Sequence, residues 1–169
     1  MTLQSHCATV ADMGENQTLT NDTICGIVII MVNNTIIMDT NVLFAGLYSS
    51  TGASLLVLRL IDCGKIKPVI STTLLFEYED VLKRKQAELS LSNKQVDIIL
   101  DNLCALSEFQ KIHFLWRPCL RDPKDDHVLE VAVASKTKMI ITHNIKDFKG
   151  VEKFGVQAIP PGKLLEVIK

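Results

Sequence analysis

Basic residues are missing from the first third of this 169-residue chain, since no Lys or Arg precedes Arg59. Residues 1–58 carry four acids, Asp12, Glu15, Asp22 and Asp39, and the remainder carries 18 bases against 15 acids. A formal net charge of −1 excludes a protein that holds nucleic acid by bulk positive charge, so any polyanion would need a local groove and metal. Aromatic residues make up only 5% of the chain, which argues against a base-stacking platform of the kind used by many single-strand binders. The five cysteines, Cys7, Cys25, Cys63, Cys104 and Cys119, show no CxxC pair or Cys/His metal spacing. They read as reduced thiols, with Cys63 expected in the core. There is no Gly-rich phosphate loop and no GxSxG elbow. The apolar segment from Ile24 to Val32 is too short to cross a bilayer, and no basic n-region marks a signal peptide. The expectation is a cytoplasmic protein with no membrane partner.

What is present is a large apolar fraction, 47% of the chain, enough for one domain with a sizeable core. Residues 1–34 read as an N-terminal extension, either disordered or adding an edge strand through Ile27-Val28-Ile29-Ile30. Residues 35–169 read as a single α/β domain. Ile36-Ile37-Met38 suits a strand buried on both faces, and Asp39 interrupts it at its end. A carboxylate there must be solvated, hydrogen-bonded or bound to a cation, and the carboxyl edge of an open α/β sheet is where ligands bind.

After a loop containing Gly46 and Ser49-Ser50-Thr51-Gly52, the pattern predicts a helix from Ala53 to about Cys63, with Leu55, Leu56, Leu58, Arg59, Leu60 and Ile61 largely buried and Gly64 as its C-cap. Lys67–Ser71 is a second strand, completing a βαβ unit. Ser71-Thr72-Thr73 caps a helix from about Leu74 to Leu89, whose stripe is Leu74, Leu75, Tyr78, Val81 and Leu82. Glu77 and Glu79 flank that stripe on opposite sides, so periodicity does not choose between them. The run Lys83-Arg84-Lys85 reads as a solvated face, with phosphate contact as the minority reading. Ser92-Asn93 opens a helix through Phe109, and Ile112–Leu115 is a third strand. Asp122 then reads as an N-cap with Pro123 at the first helical position. Met139–Thr142 and Gly155–Ile159 are further strands, and Leu164–Ile168 a terminal helical turn.

Acids therefore recur at junctions: Asp39, Glu77, the group Asp122, Asp125 and Asp126, and Asp147 with Asn144. Carboxylates that converge repel one another, so a cluster implies a hard cation such as Mg²⁺ or Mn²⁺. Each also has a plainer reading, as helix cap, turn residue or surface charge. His113, His127 and His143 lack zinc spacing.

In this order the pieces resemble the PIN-domain nucleases, and closely the PIN-family toxins of toxin–antitoxin systems, relatives of the VapC toxins. The carrying segments are Ile37–Leu43, Ser71–Leu82, Arg121–Leu129 and Ile140–Phe148, and the resemblance spans about residues 35 to 166. It implies a three-layer α/β/α fold with a central parallel sheet of four to five strands. It matches Asp39, Glu77 and Asp125 to the family's metal-binding and catalytic acids, and Asn41 and Thr142 to polar residues that order the site. The Leu-Leu-x-Glu pattern selects Glu77 over Glu79. Asp125 is preferred over Asp126 because the third acid lies seven residues before a small helix residue, here Ala132. A fourth acid of many PIN domains is replaced by Asn144, which supplies a carbonyl but no charge; Asn144 or Asp147 is the candidate further ligand.

The function this implies is an Mg²⁺- or Mn²⁺-dependent endoribonuclease acting on RNA, inhibited by a cognate antitoxin protein and working as a homodimer. The alternatives are a catalytically weak PIN scaffold that binds RNA or protein, or a structure-specific DNA nuclease.

Overall fold

The computed structural model describes residues 34–113, 117 and 119–168. The proposed N-terminal extension, with Ile27–Ile30, lies outside the described residues apart from Asn34, as do Phe114 and Leu115 of the expected third strand.

Five strands form one parallel sheet: β1 (Thr35–Met38), β2 (Lys67–Ile70), β3 (Glu108–Phe109), β4 (Met139–Ile141) and β5 (Gln157–Ile159), in the order β3-β2-β1-β4-β5. Helices flank the sheet: α1 (Thr40–Tyr48), α2 (Ala53–Asp62), α3 (Thr72–Arg84), α4 (Gln86–Leu89), α5 (Asn93–Leu106), α6 (Asp126–Ser135) and α7 (Pro161–Val167). The architecture is thus the three-layer α/β/α arrangement expected of the sequence. Ile36, Ile37, Met38, Ile140 and Ile141 are wholly buried, as a sheet covered on both faces requires. Each such side chain contributes roughly 1.5–3 kcal/mol through loss of apolar surface to water.

Strand order decides where a site can form. The chain builds outward from β1 through β2 to β3, then returns to place β4 on the other side of β1. The reversal opens a crevice beyond the carboxyl ends of β1 and β4. Register sets two polar residues there side by side: Met38 pairs with Ile141, so Asp39 and Thr142 are the next residues on adjacent strands.

Several local expectations are corrected. The segment after Asp39 is helix α1 rather than loop, and Gly46 lies inside it. A Cβ on Gly46 would stand 2.6 Å from Leu58 Cδ1 and 3.0 Å from the Ser54 carbonyl, so this glycine permits α1 and α2 to approach closely. Helix α2 buries Ser54, Val57 and Ile61, whereas Leu56 and Arg59 are exposed and Leu55, Leu58 and Leu60 half-buried. Gly64 does adopt the left-handed conformation, at φ 68°. The helix after Ser71 breaks at Lys85, α5 stops at Leu106, and β3 lies at Glu108–Phe109, before the expected position. Helix α6 begins at Asp126, so Asp122 and Pro123 precede it, and the Asp122 side chain accepts instead from the Lys124 amide at 3.0 Å. Cys63 is exposed. Among the described residues no single helix is long and apolar enough to cross a membrane.

Candidate active site

Asp39 is delivered to the crevice by a rigid strand and is 6% exposed. Its Oδ2 accepts from the Thr142 hydroxyl at 2.6 Å and from the Asn41 side-chain amide at 2.6 Å, leaving Oδ1 outside both bonds. Asn41 ties the neighbouring loop down as well, its Oδ1 accepting from the His143 amide at 3.1 Å. Thr142 Oγ1 in turn accepts from the Asn144 amide at 2.9 Å. Burial raises the Asp39 carboxyl above its ordinary range, Thr142 opposes this, and the charge of Glu77 adds to the rise.

Helix α3 is positioned by Ser71, whose Oγ caps the Leu74 amide at 3.2 Å, and by buried Tyr78, whose hydroxyl donates to the Met38 carbonyl at the end of β1. Anchoring Tyr78 there turns Glu77 into the crevice beside Asp39, while Glu79 pairs with Lys83 on the exposed side. Glu77 Oε1 accepts from the Thr40 hydroxyl at 2.8 Å. Its Oε2 meets His127 Nε2 as an ion pair, although that nitrogen has no well-aligned hydrogen-bond partner. Burial acts to raise the Glu77 carboxyl, but the contact and charge of His127 outweigh it, so Glu77 lies below its usual range. His127 is raised in return: burial opposes its charge, and Glu77 overcomes the opposition.

Asp125 and Asp126 are separated by use. Asp126 is buried, and its carboxylate accepts from the Leu120 amide at 2.7 Å and the Cys119 amide at 3.1 Å, holding the segment before α6 in place. Asp125 is half-buried and faces the crevice. Its carboxyl is pushed up to about 6, by burial first and then by the charges of Asp39, Asp122, Asp147 and Glu77.

These residues line one open cleft of about 320 Å³, whose wall includes Asp39, Glu77, Asp125 and Asn144 together with Phe44, Val81 and Lys85. Asn144 directs its amide to the Asp147 carboxylate; Asp147 itself is not part of the lining. The donors are all oxygen, and the crowding that raises Asp125 is of the kind a hard divalent cation relieves. In the arrangement seen, no three Asp, Glu, His or Cys side chains among the described residues converge on one ion position. Asp39 and Glu77 are engaged instead with Thr142, Asn41, Thr40 and His127.

A family model described as the PIN domain matches residues 35–146, a span containing Asp39, Glu77, Asp125 and Asn144. The chain belongs to the PIN domain family. No curated protein and no solved structure matches it. PIN domains are generally nucleases and typically use divalent metal ions. In this PIN domain, Thr40, His127, Phe44 and Lys85 are cleft or near-cleft residues that sequence reasoning did not assign to the site. Thr40 is hidden in the sequence because Gly46 and Ser49–Gly52 give its segment the chemistry of a loop. His127 carried a faint signal as the residue two beyond Asp125, but nothing in the sequence joins it to Glu77.

Proposed function

We propose that this PIN domain is a divalent-cation-dependent endoribonuclease, the toxin of a toxin–antitoxin pair, held in check by a protein antitoxin and acting as a homodimer. The observation that carries the nuclease reading is the meeting of Asp39, Glu77, Asp125 and Asn144 in one cleft at the sheet's switch point. Asp39, Glu77 and Asp125 would hold the cation, with the Asn144 carbonyl as the further donor. A bound divalent ion supplies a nucleophile from water and neutralises charge developing on the phosphodiester. Thr142 and Asn41 orient Asp39 and oppose the rise that burial imposes on its carboxyl, and Thr40 with His127 fixes the Glu77 carboxylate. The toxin and antitoxin parts of the proposal rest on the resemblance carried by the four sequence segments.

The test is cleavage of labelled single-stranded RNA by the purified chain, with Mg²⁺, Mn²⁺ or EDTA. Cleavage that needs the cation and is lost in Asp39→Asn is expected; absence of cation-dependent cleavage, or its survival in Asp39→Asn, refutes the reading. One observation favours the second reading, a scaffold that binds without cutting: Asn144 stands where a fourth acid would add charge. RNA retained but never cut would establish that alternative. Parallel reactions on duplex and branched DNA separate a structure-specific DNA nuclease from both.

A further inference from the structure

We propose that Phe44 and Lys85 form a nucleotide subsite in the cleft that the acids line, taking one base and one phosphate of single-stranded RNA; this deepens, and rests on, the nuclease reading above. Three bases run together at Lys83-Arg84-Lys85, and each is paired with an acid near the surface, Lys85 with Glu88. Lys83 pairs with Glu79 and, at 3.8 Å, with Asp97, and Arg84 pairs with Asp80 at 3.0 Å. Lys85 differs. Helix α3 ends at it, it lines the cleft, and its ammonium lies 5.6 Å from the centroid of the Phe44 ring. It is the one Lys or Arg among the described residues of the cleft wall.

Three carboxylates in the cleft repel a phosphodiester strand, so a strand lying there needs a positive contact, and Lys85 in the same wall can give it. Glu88 holds the ammonium at 2.6 Å, but that pair is exposed, at 41% and 50%, and water and salt screen it. A phosphate can therefore take its place. The Phe44 ring is backed by Tyr48, with centroids 5.7 Å apart and planes inclined by 19°, and Tyr48 is 63% exposed. Two nearly parallel rings reaching from the cleft to solvent are a stack that a base extends, whatever its identity, because every base has a π face. As the ammonium moves from ring to phosphate, the ring face it covered becomes available to the base. The low aromatic content of the chain does not oppose this, since one base needs one ring pair.

The test uses a short fluorescein-labelled single-stranded RNA in EDTA, so that binding is read without cleavage, followed by anisotropy at several salt concentrations. Phe44→Leu should weaken binding about tenfold and Phe44→Trp should restore it, the size of effect that loss of one base stack gives. Lys85→Gln should lower the slope of log affinity against log salt by about 0.7, one phosphate of a single strand, while Lys83→Gln leaves the slope unchanged. A Phe44→Leu variant that melts like the parent and binds within about twofold of it overturns the proposal. So does a Lys85→Gln slope equal to that of Lys83→Gln. Failure of the nuclease reading appears separately, as wild-type protein that does not cut RNA when Mn²⁺ is restored.

Discussion

At the scale of single residues, opposite pKa displacements within one cleft give opposite dependences of stability on pH. Asp125 is raised from 3.8 to about 6, so the folded state resists its ionisation. The resulting cost is absent below 3.8, builds between 3.8 and about 6, and is complete above 6. The full displacement would amount to roughly 3 kcal/mol, but solvent screening of this half-exposed group reduces it to ~1 kcal/mol. With cations chelated, Asp125→Asn should therefore melt above the parent at neutral pH, the gap closing toward pH ~4; a variant that melts lower at neutral pH contradicts this. Glu77 runs in the reverse sense, whereas His127, raised like Asp125, also loses stability as pH rises, here by losing a favourable pairing. Glu77, lowered from 4.5, stabilises above 4.5 and loses its contribution as pH falls through its folded pKa. His127, raised from 6.5, contributes fully below 6.5 and loses its contribution as pH rises through its folded pKa. Their pairing is thus strongest between 4.5 and 6.5. Thermal melts should show His127→Asn losing more stability near pH ~5.5 than near pH ~8.5. An equal loss at both would mean that the imidazole acts by packing alone.

At the scale of elements, the contact of α1 with α2 sets two opposed effects on Gly46. Alanine in a helix interior is favoured over glycine by about 1 kcal/mol. Against that, the added methyl group meets Leu58 at 2.6 Å and the Ser54 carbonyl at 3.0 Å, and backbone cannot yield as a side-chain tip can. Overpacking of this kind costs about 1–3 kcal/mol, so Gly46→Ala should lower the melting temperature despite its better propensity. A rise would show that the helices separate freely. The same glycine explains why α1 was illegible in the sequence: Gly46 and the Ser49–Gly52 run look like turn chemistry, and α1 buries Thr40, Val42, Leu43 and Gly46 without a clean polar face. Elements with one wet face were legible. Helix α3 shows its stripe and the Ser71 cap, and α5 begins with a reciprocal capping box between Ser92 and Gln95. Strand β3 escapes the sequence pattern because Glu108 and Phe109 are both exposed and a pair of residues carries no alternation. Side-chain direction was the harder quantity. Asp39, Glu77, Asp125 and Asn144 stand out by type and position, whereas Thr40, His127, Phe44 and Lys85 join them only once the phase of α1, the break after Arg84 and the start of α6 are known.

At the scale of the whole molecule, the cleft is assembled from segments far apart in the chain, so a ligand that draws its acids together must stabilise the complete fold. The strand reversal between β1 and β4 brings Asp39 beside Thr142, α3 brings Glu77, and the turn before α6 brings Asp125. A divalent cation selective for this arrangement should raise the melting temperature, and at a hundred times its Kd the gain is ~2.7 kcal/mol. Mn²⁺ titrated into the chain at neutral pH should give that rise, and Asp39→Asn should abolish it, because it removes charge from the acid most firmly held by the sheet. Proton competition supplies an independent check. A protonated Asp125 cannot ligate, so apparent Mn²⁺ affinity should fall as pH drops below about 6, approaching tenfold per pH unit where one proton is displaced per ion. Affinity that stays flat from pH ~7 to pH ~5 would place the cation away from Asp125 and return this carboxylate to the role of a charge at the start of α6.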